Sequence, residues 1–193
     1  MPKLLIATKN KGKLIEIQNL LENIPHQLVD LGDAGITDDI PETGATFEEN
    51  AIQKARFAGL KSGLLTLADD SGLEIEYLEG RPGVKSARYV PGTDNDRVNQ
   101  VLKELKGVPT EKRNAKFVAV VALFDPRDNS VKTWRGESLG TIADVPRGSR
   151  GFGYDPIFYN FDIRKTNAQA TAREKNQVSH RARALRQARI FLE

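Results

Sequence analysis

The chain has 193 residues, and its 29 lysines and arginines against 26 acids leave a formal net charge of +3 with neutral histidines. With 39% hydrophobic and 28% charged residues it reads as a soluble globular protein, long enough for one large domain or two intimate lobes, and a fibrous repeat or a long disordered tail is excluded. No cysteine is present, so disulfides, thiolate nucleophiles and Cys-ligated zinc are excluded, and a metal must be held by oxygen or by His26 and His180.

The run Lys3 to Ala7 predicts a buried strand, and after Thr8-Lys9-Asn10 the apolar positions Leu14, Ile17, Leu20 and Leu21 recur at helical spacing. Val29 to Leu31 predicts a short strand. A Gly/Asp/Pro-rich segment then runs to Thr46, which with Glu49 forms a capping box for a helix carrying Ala51, Ala55 and Ala58. Leu64 to Asp70 predicts a strand ending in two acids, and Leu73 to Tyr77 a second one, with Arg81 to Gly92 as loop. Val98, Val101, Leu102 and Leu105 mark a helix entered from Asp94-Asn95-Asp96. Phe117 to Phe124 and Val131 to Ile142 predict two longer strands joined by the turn 125–129. The turn Gly148 to Gly153 leads to a strand Ile157 to Tyr159, and Ala182, Leu185, Ala188 and Phe191 or Leu192 mark a closing helix. This alternation predicts an α/β protein with a mixed sheet and flanking helices. No window approaches the roughly 18 apolar residues of a membrane span, and the apolar stretch after Met1-Pro2-Lys3 is too short for a signal peptide, so the expected location is cytoplasmic.

Charge is segregated along the chain. Residues 1–13 carry four lysines and no acid, 14–80 carry fourteen acids against three bases, and 164–193 carry eight bases against two acids. Basic ends around an acidic centre suit a polyanion held through a hard cation such as Mg²⁺; the same pattern also suits solvated helix faces.

Four segments could carry chemistry. Thr8-Lys9-Asn10-Lys11-Gly12-Lys13 sits where a strand hands over to a helix, which suits phosphate, although it lacks P-loop spacing and equally suits a helix cap with exposed lysines. In Asp69-Asp70-Ser71-Gly72 the two acids point to opposite faces of the strand unless it bends there, so one of them leads the chemistry; with Glu42, and with Glu48-Glu49-Asn50 opening a helix, they supply carboxylates for Mg²⁺, or else the motif is an ordinary turn. Gly151-Phe152-Gly153-Tyr154-Asp155 places rings between glycines, fitting a stacked flat ligand or a glycine turn with core aromatics. Lys175 and Ser179-His180-Arg181 converge only if the chain bends before the last helix. Cations at a helix start are unfavourable, which calls for an anion or a carbonyl-rich ligand to offset them, unless the His-Arg pair is simply solvated.

Together these strings, with Glu42-Thr43-Gly44, Phe47-Glu48-Glu49-Asn50-Ala51, Lys54-Ala55, Pro82-Gly83-Val84 and Ser86-Ala87-Arg88-Tyr89, resemble the noncanonical purine nucleoside triphosphate pyrophosphatase family, the inosine/xanthosine triphosphatases, over almost the whole chain. The resemblance implies a single domain over 1–193 of two lobes with the active site in the cleft between them, a strongly twisted mixed sheet in an elongated subunit, and a homodimer. It implies Mg²⁺-dependent hydrolysis, with Mn²⁺ as substitute, of ITP, dITP and XTP to monophosphate and pyrophosphate. Carried over by position, Thr8, Lys9, Asn10, Lys11, Gly12, Lys13 and Lys54 contact phosphates, Glu42 and Asp70 hold the metal, Asp70 accepts the proton, and Ser71 touches substrate. Phe152, Gly153, Tyr154, Asp155, Lys175, His180 and Arg181 form the base pocket. Lys175 and Arg181 can only donate, which suits a 6-keto oxygen and opposes the 6-amino group of adenine. The chain departs from the family pattern at Ala168-Gln169-Ala170-Thr171, where an acid and a larger apolar residue are expected.

Two other readings compete. A pyrophosphatase for modified pyrimidine or methylated nucleotides shares the opening but leaves Ser179-His180-Arg181 unexplained. A nucleic-acid binder using the basic ends is opposed by Glu42, Asp69 and Asp70, so neither nucleic acid nor membrane is an expected partner.

Overall fold

The run Leu4-Leu5-Ile6 is fully buried and forms the short strand β1 (Lys3–Ile6), as a continuous apolar run does when a sheet is covered on both faces. The computed structural model describes residues 1–193. The remaining strands are β2 (Gln27–Val29), β3 (Leu65–Ile75), β4 (Asn114–Asp125), β5 (Ser130–Ile142), β6 (Phe158–Asn160) and β7 (Lys165–Thr166). They form one seven-stranded sheet in the order β2-β1-β3-β4-β5-β6-β7. It is mixed, as predicted: β1 is parallel to β2 and β3, while β6 is antiparallel to β5 and β7. The helices are α1 (Lys11–Leu20), α2 (Phe47–Ser62), α3 (Asp94–Glu104), α4 (Ala172–Val178) and α5 (His180–Leu192). None is long and apolar enough to cross a membrane.

By internal contact the chain divides into two compact units. Unit 1 comprises Met1–Asp70, Ala119–Gly136 and Arg181–Glu193, and unit 2 comprises Ser71–Val118 and Glu137–His180. The core of unit 1 joins Leu4 and Ile6 of β1, Ile17 of α1, Val121 of β4 and Leu185 and Ala188 of α5. The core of unit 2 joins Leu73 and Ile75 of β3, Val98 and Val101 of α3, and the aromatics Phe117, Tyr154 and Phe158.

Local signals explain most boundaries. α2 begins at the predicted capping box, with Thr46 Oγ1 accepting from Glu49 N at 3.1 Å and Glu49 reaching back to Thr46 N, and it ends at Gly63, which has φ 70°. Its buried face includes Ala51, Ala55, Ala58 and Gly59, small enough to lie close on the sheet, and a Cβ at Gly59 would collide with the Phe124 ring. α3 is capped by Thr93, one residue before the predicted entry.

The structure corrects several expectations. β2 lies two residues earlier than Val29 to Leu31. The two strands expected over 64–77 are one strand, β3, because Ser71-Gly72 stays extended between buried neighbours on both sides; burial overrides the turn preference of the pair. The loop 81–92 contains a 3₁₀ segment, Gly83–Arg88. α4 and β7 are too short to leave a periodic signal in the sequence. At the departure from the family pattern, Gln169 Oε1 accepts from Thr166 N at 3.0 Å and closes a capping box, so an amide oxygen serves where an acid was expected.

Candidate active site

The phosphate-like turn forms as the sequence suggests, at the junction of β1 and α1. Asn10 caps α1, its Oδ1 accepting from Lys13 N at 3.0 Å, and Thr8 Oγ1 accepts from Asn10 N at 3.2 Å. The Asn10 oxygen therefore serves the helix, and the first amides of α1, at Lys11 and Gly12, have no intrahelical acceptor. Lys9 is exposed and bonded to Asp39 at 2.7 Å, a solvated pair that exchanges easily. Lys13 is turned inward, its Nζ 3.4 Å from Asp69 Oδ2.

The acids of β3 lead to two separate sets of partners, as strand alternation requires. Asp70 accepts from Lys54 Nζ at 2.8 Å through Oδ1 and from Asn50 Nδ2 at 3.2 Å through Oδ2. The same ammonium lies 2.8 Å from Glu42 Oε1, so one lysine bridges the two proposed metal ligands. Burial lowers the pKa of Lys54, but Asp70, Asp69 and Glu42 together outweigh it and hold the value above that of a free lysine. Asp69 accepts from Arg181 Nε at 3.0 Å, and Arg181 also pairs with Glu16 of α1. Although burial opposes its charge, the cations Arg181, Lys13 and Lys54 hold the Asp69 carboxyl well below the usual carboxylate range. Its Oδ1 is buried and makes no hydrogen bond.

Arg181, placed by the resemblance in a base pocket, is held by two carboxylates. Its guanidinium is 1% exposed and engaged by Asp69 and Glu16, both in unit 1. The cation at the start of α5 is thus offset by the protein's own carboxylates. Asp69, expected to face away from the chemistry, is the anchor of this buried network.

In unit 2, Asp155 is the hub. It accepts from Lys175 Nζ at 2.5 Å and Phe152 N at 3.0 Å through Oδ2, and from Asn167 Nδ2 at 3.2 Å through Oδ1. Gly151, with φ 76°, packs so closely on this carboxylate that a Cβ would overlap it. Asp155 therefore builds the Phe152-Gly153-Tyr154 turn. Lys175 Nζ lies 4.9 Å from the Phe152 ring centroid. Tyr154 donates to Ser86 O at 2.9 Å, and Gly153 N donates to Asp94 at 2.7 Å. His180 stacks on Phe117, with ring centroids 4.8 Å apart and planes 11° apart. Ser179, extended at ψ 153°, separates α4 from α5, so the chain bends before the last helix, the condition for Lys175 and His180-Arg181 to converge. Ser71 follows Asp70 within β3.

The set brings together two carboxylates held as a pair, a nearby buried acid with an unspent oxygen, and lysines beside a helix start, groups of the kind that suit a hard cation and a polyanion. Sequence reasoning did not single out Asn50, Glu16 and Asn167. Asn50 had a usable signal, being a short polar side chain on the small-residue face of a helix.

A sequence profile of the Ham1 family matches residues 4–191. The dITP/XTP pyrophosphatase of Bacillus licheniformis is 45% identical over 195 aligned residues, covering 100% of this chain and 99% of the relative. That of Symbiobacterium thermophilum is 47% identical over 95% of this chain and 91% of the relative. The solved structure of a HAM1 protein from Coxiella burnetii superposes with a TM-score of 0.90 at 42% identity, over 100% of this chain and 98% of that one. With fold, site strings and end-to-end identity in agreement, the chain belongs to the Ham1 family.

Proposed function

We propose that this protein is a nucleoside triphosphate pyrophosphatase that hydrolyses ITP, dITP and XTP between the α and β phosphates, releasing monophosphate and pyrophosphate and clearing these nucleotides from the pool. The observation that carries the reading is the Lys54 ammonium held between Glu42 and Asp70, in a chain that matches proteins of this name along its full length.

Glu42 and Asp70 fit a divalent cation, since both are oxygen donors already held as a pair, and two protein ligands leave positions for phosphate and water. The proposed cation is Mg²⁺, with Mn²⁺ as substitute; bound there it neutralises phosphate charge and makes pyrophosphate a better leaving group. Lys13, Lys54, Lys9 and the first-turn amides of α1 take the triphosphate. Asp70 accepts the proton of the attacking water at a carboxylate oxygen, which retains acceptor capacity beside its bonds to Lys54 and Asn50. In unit 2, Phe152 stacks on the base, and Lys175 and His180, with Gly153, Tyr154 and Asp155 shaping the turn, select a 6-keto purine. Arg181 supports the site from the Asp69 side. The proposed assembly is a homodimer.

A panel of purine triphosphates assayed with Mg²⁺, with pyrophosphate and orthophosphate distinguished, tests the reading. ITP, dITP and XTP are expected to yield pyrophosphate, ATP and GTP to be poor, and EDTA to abolish turnover. Equal turnover of ATP and ITP, or orthophosphate as first product, would overturn it.

A further inference from the structure

Asn50 is fully buried at the start of α2, where an asparagine contributes little to helix stability. Both ends of its amide are used. Oδ1 accepts from Gly44 N at 2.8 Å, and Nδ2 donates to Asp70 Oδ2 at 3.2 Å. The orientation is determined by chemistry: Gly44 N–H can only donate, so the amide oxygen faces it and the NH₂ must face Asp70. Lys54 lies one turn further along the same helix face and donates to the other Asp70 oxygen, so α2 grips this carboxylate at both oxygens. At Gly44 a Cβ would stand 2.9 Å from Asn50 Oδ1 and 2.6 Å from Glu49 Cβ, so the turn carrying Glu42 lies directly on the helix. Gln53 holds the preceding residue independently, its Oε1 accepting from Thr43 N at 3.0 Å and its Nε2 donating to Thr43 Oγ1 at 2.8 Å.

We propose that Asn50 is a positioning residue: it ties the Glu42-Thr43-Gly44 turn to Asp70 and so keeps the two carboxylates in register as one cation-binding pair. The inference rests on the reading of these acids given under Proposed function. Asn50 touches neither substrate nor cation; it acts through Asp70 and through the backbone that carries Glu42. An ammonium alone attracts both acids without directing their lone pairs, whereas a planar amide with one donor and one acceptor side sets an orientation.

The test compares Asn50→Asp, Asn50→Ala and Gln53→Ala with wild type. Asn50→Asp keeps an acceptor for Gly44 but presents an oxygen to Asp70; Gln53→Ala loosens the same turn without touching Asp70. Each protein is melted, then saturated with α,β-methylene-ITP and titrated with Mn²⁺, with binding read by water-proton relaxation, and finally assayed with ITP. Both Asn50 variants are expected to remain folded, to bind Mn²⁺ roughly 10–100-fold more weakly, and to lose kcat to a similar extent with KM little changed. Gln53→Ala should lose far less. Wild-type Mn²⁺ affinity and kcat in both Asn50 variants would overturn the proposal. So would a loss confined to melting temperature, or equal weakening by Gln53→Ala. A wild-type protein that binds Mn²⁺ with the analogue but does not cleave ITP would instead defeat the functional reading, and the Mn²⁺ comparison would still judge Asn50.

Discussion

Lys54 Nζ lies 2.8 Å from Asp70 Oδ1 and, on its other side, 2.8 Å from Glu42 Oε1, so a buried ammonium occupies the point where two carboxylates converge. Removing it leaves two anions facing each other. Lys54→Met should destabilise the metal-free protein by about 3 kcal/mol, because unpairing buried charges is costly. Millimolar Mg²⁺ should restore part of that loss. Thermal melts of both proteins with and without Mg²⁺ check this, and a variant insensitive to the cation would contradict the assignment of Glu42 and Asp70 as its ligands.

Asp70→Asn and Asp69→Asn should fail differently. The first removes the proton acceptor and should lower kcat by roughly 10²–10⁴-fold while leaving ITP binding largely intact. The second leaves Arg181 and Lys13 without their shared carboxylate, and should cost about 3 kcal/mol of folding stability before any effect on chemistry is read. Single-turnover rates, calorimetric ITP binding and melts on both variants separate the two roles.

Lys13 carries the pH dependence. Burial lowers its pKa from 10.5, with Asp69 opposing that shift and Lys54 and Arg181 adding to it. Between the folded value and 10.5 the unfolded chain binds more protons, so this group's contribution to stability improves as pH rises through that window. Triphosphate binding has the opposite requirement, since it needs the cation. KM for ITP should therefore rise at a lower pH than an ordinary lysine would produce, for every triphosphate alike, and Lys13→Arg should remove that alkaline limb. A KM profile of both proteins from pH 7 upward provides the check.

Asp155→Asn should act on selectivity. The neutral side chain loses its ion pair with buried Lys175 and weakens the acceptor that shapes the Phe152 turn. Losing matched buried hydrogen bonds costs about 1–3 kcal/mol, so the ratio of kcat/KM for ITP over ATP should fall about tenfold or more. Lys13→Ala, by contrast, should leave that ratio unchanged.

Gly59→Ala should destabilise the fold by about 1–3 kcal/mol, although alanine is the better helix former, because the added methyl meets the Phe124 ring beneath α2. Chemical denaturation measures the loss, and a stabilised variant would show that α2 has room to lift.

The sequence by itself determined the features that local chemistry controls. The buried strand β1, the capping box at Thr46 and Glu49 and the alanine face of α2 were all legible, because each depends on a few neighbouring residues. So was the divergence of Asp69 and Asp70, which follows from the period-two geometry of an extended chain. Tertiary structure decided which partners those side chains meet. Nothing local indicates that Arg181 would reach Asp69 across 112 positions and Glu16 across 165, or that Asp155 would meet the Lys175 ammonium across 20. Nor does propensity foresee that Ser71-Gly72 stays within β3, because only burial between neighbouring strands outweighs the preference of that pair for a turn. Charge type is written in the chain, but whether a buried charge serves a ligand or an opposing residue depends on what the fold brings beside it, since a buried ion must be compensated by whichever partner lies closest.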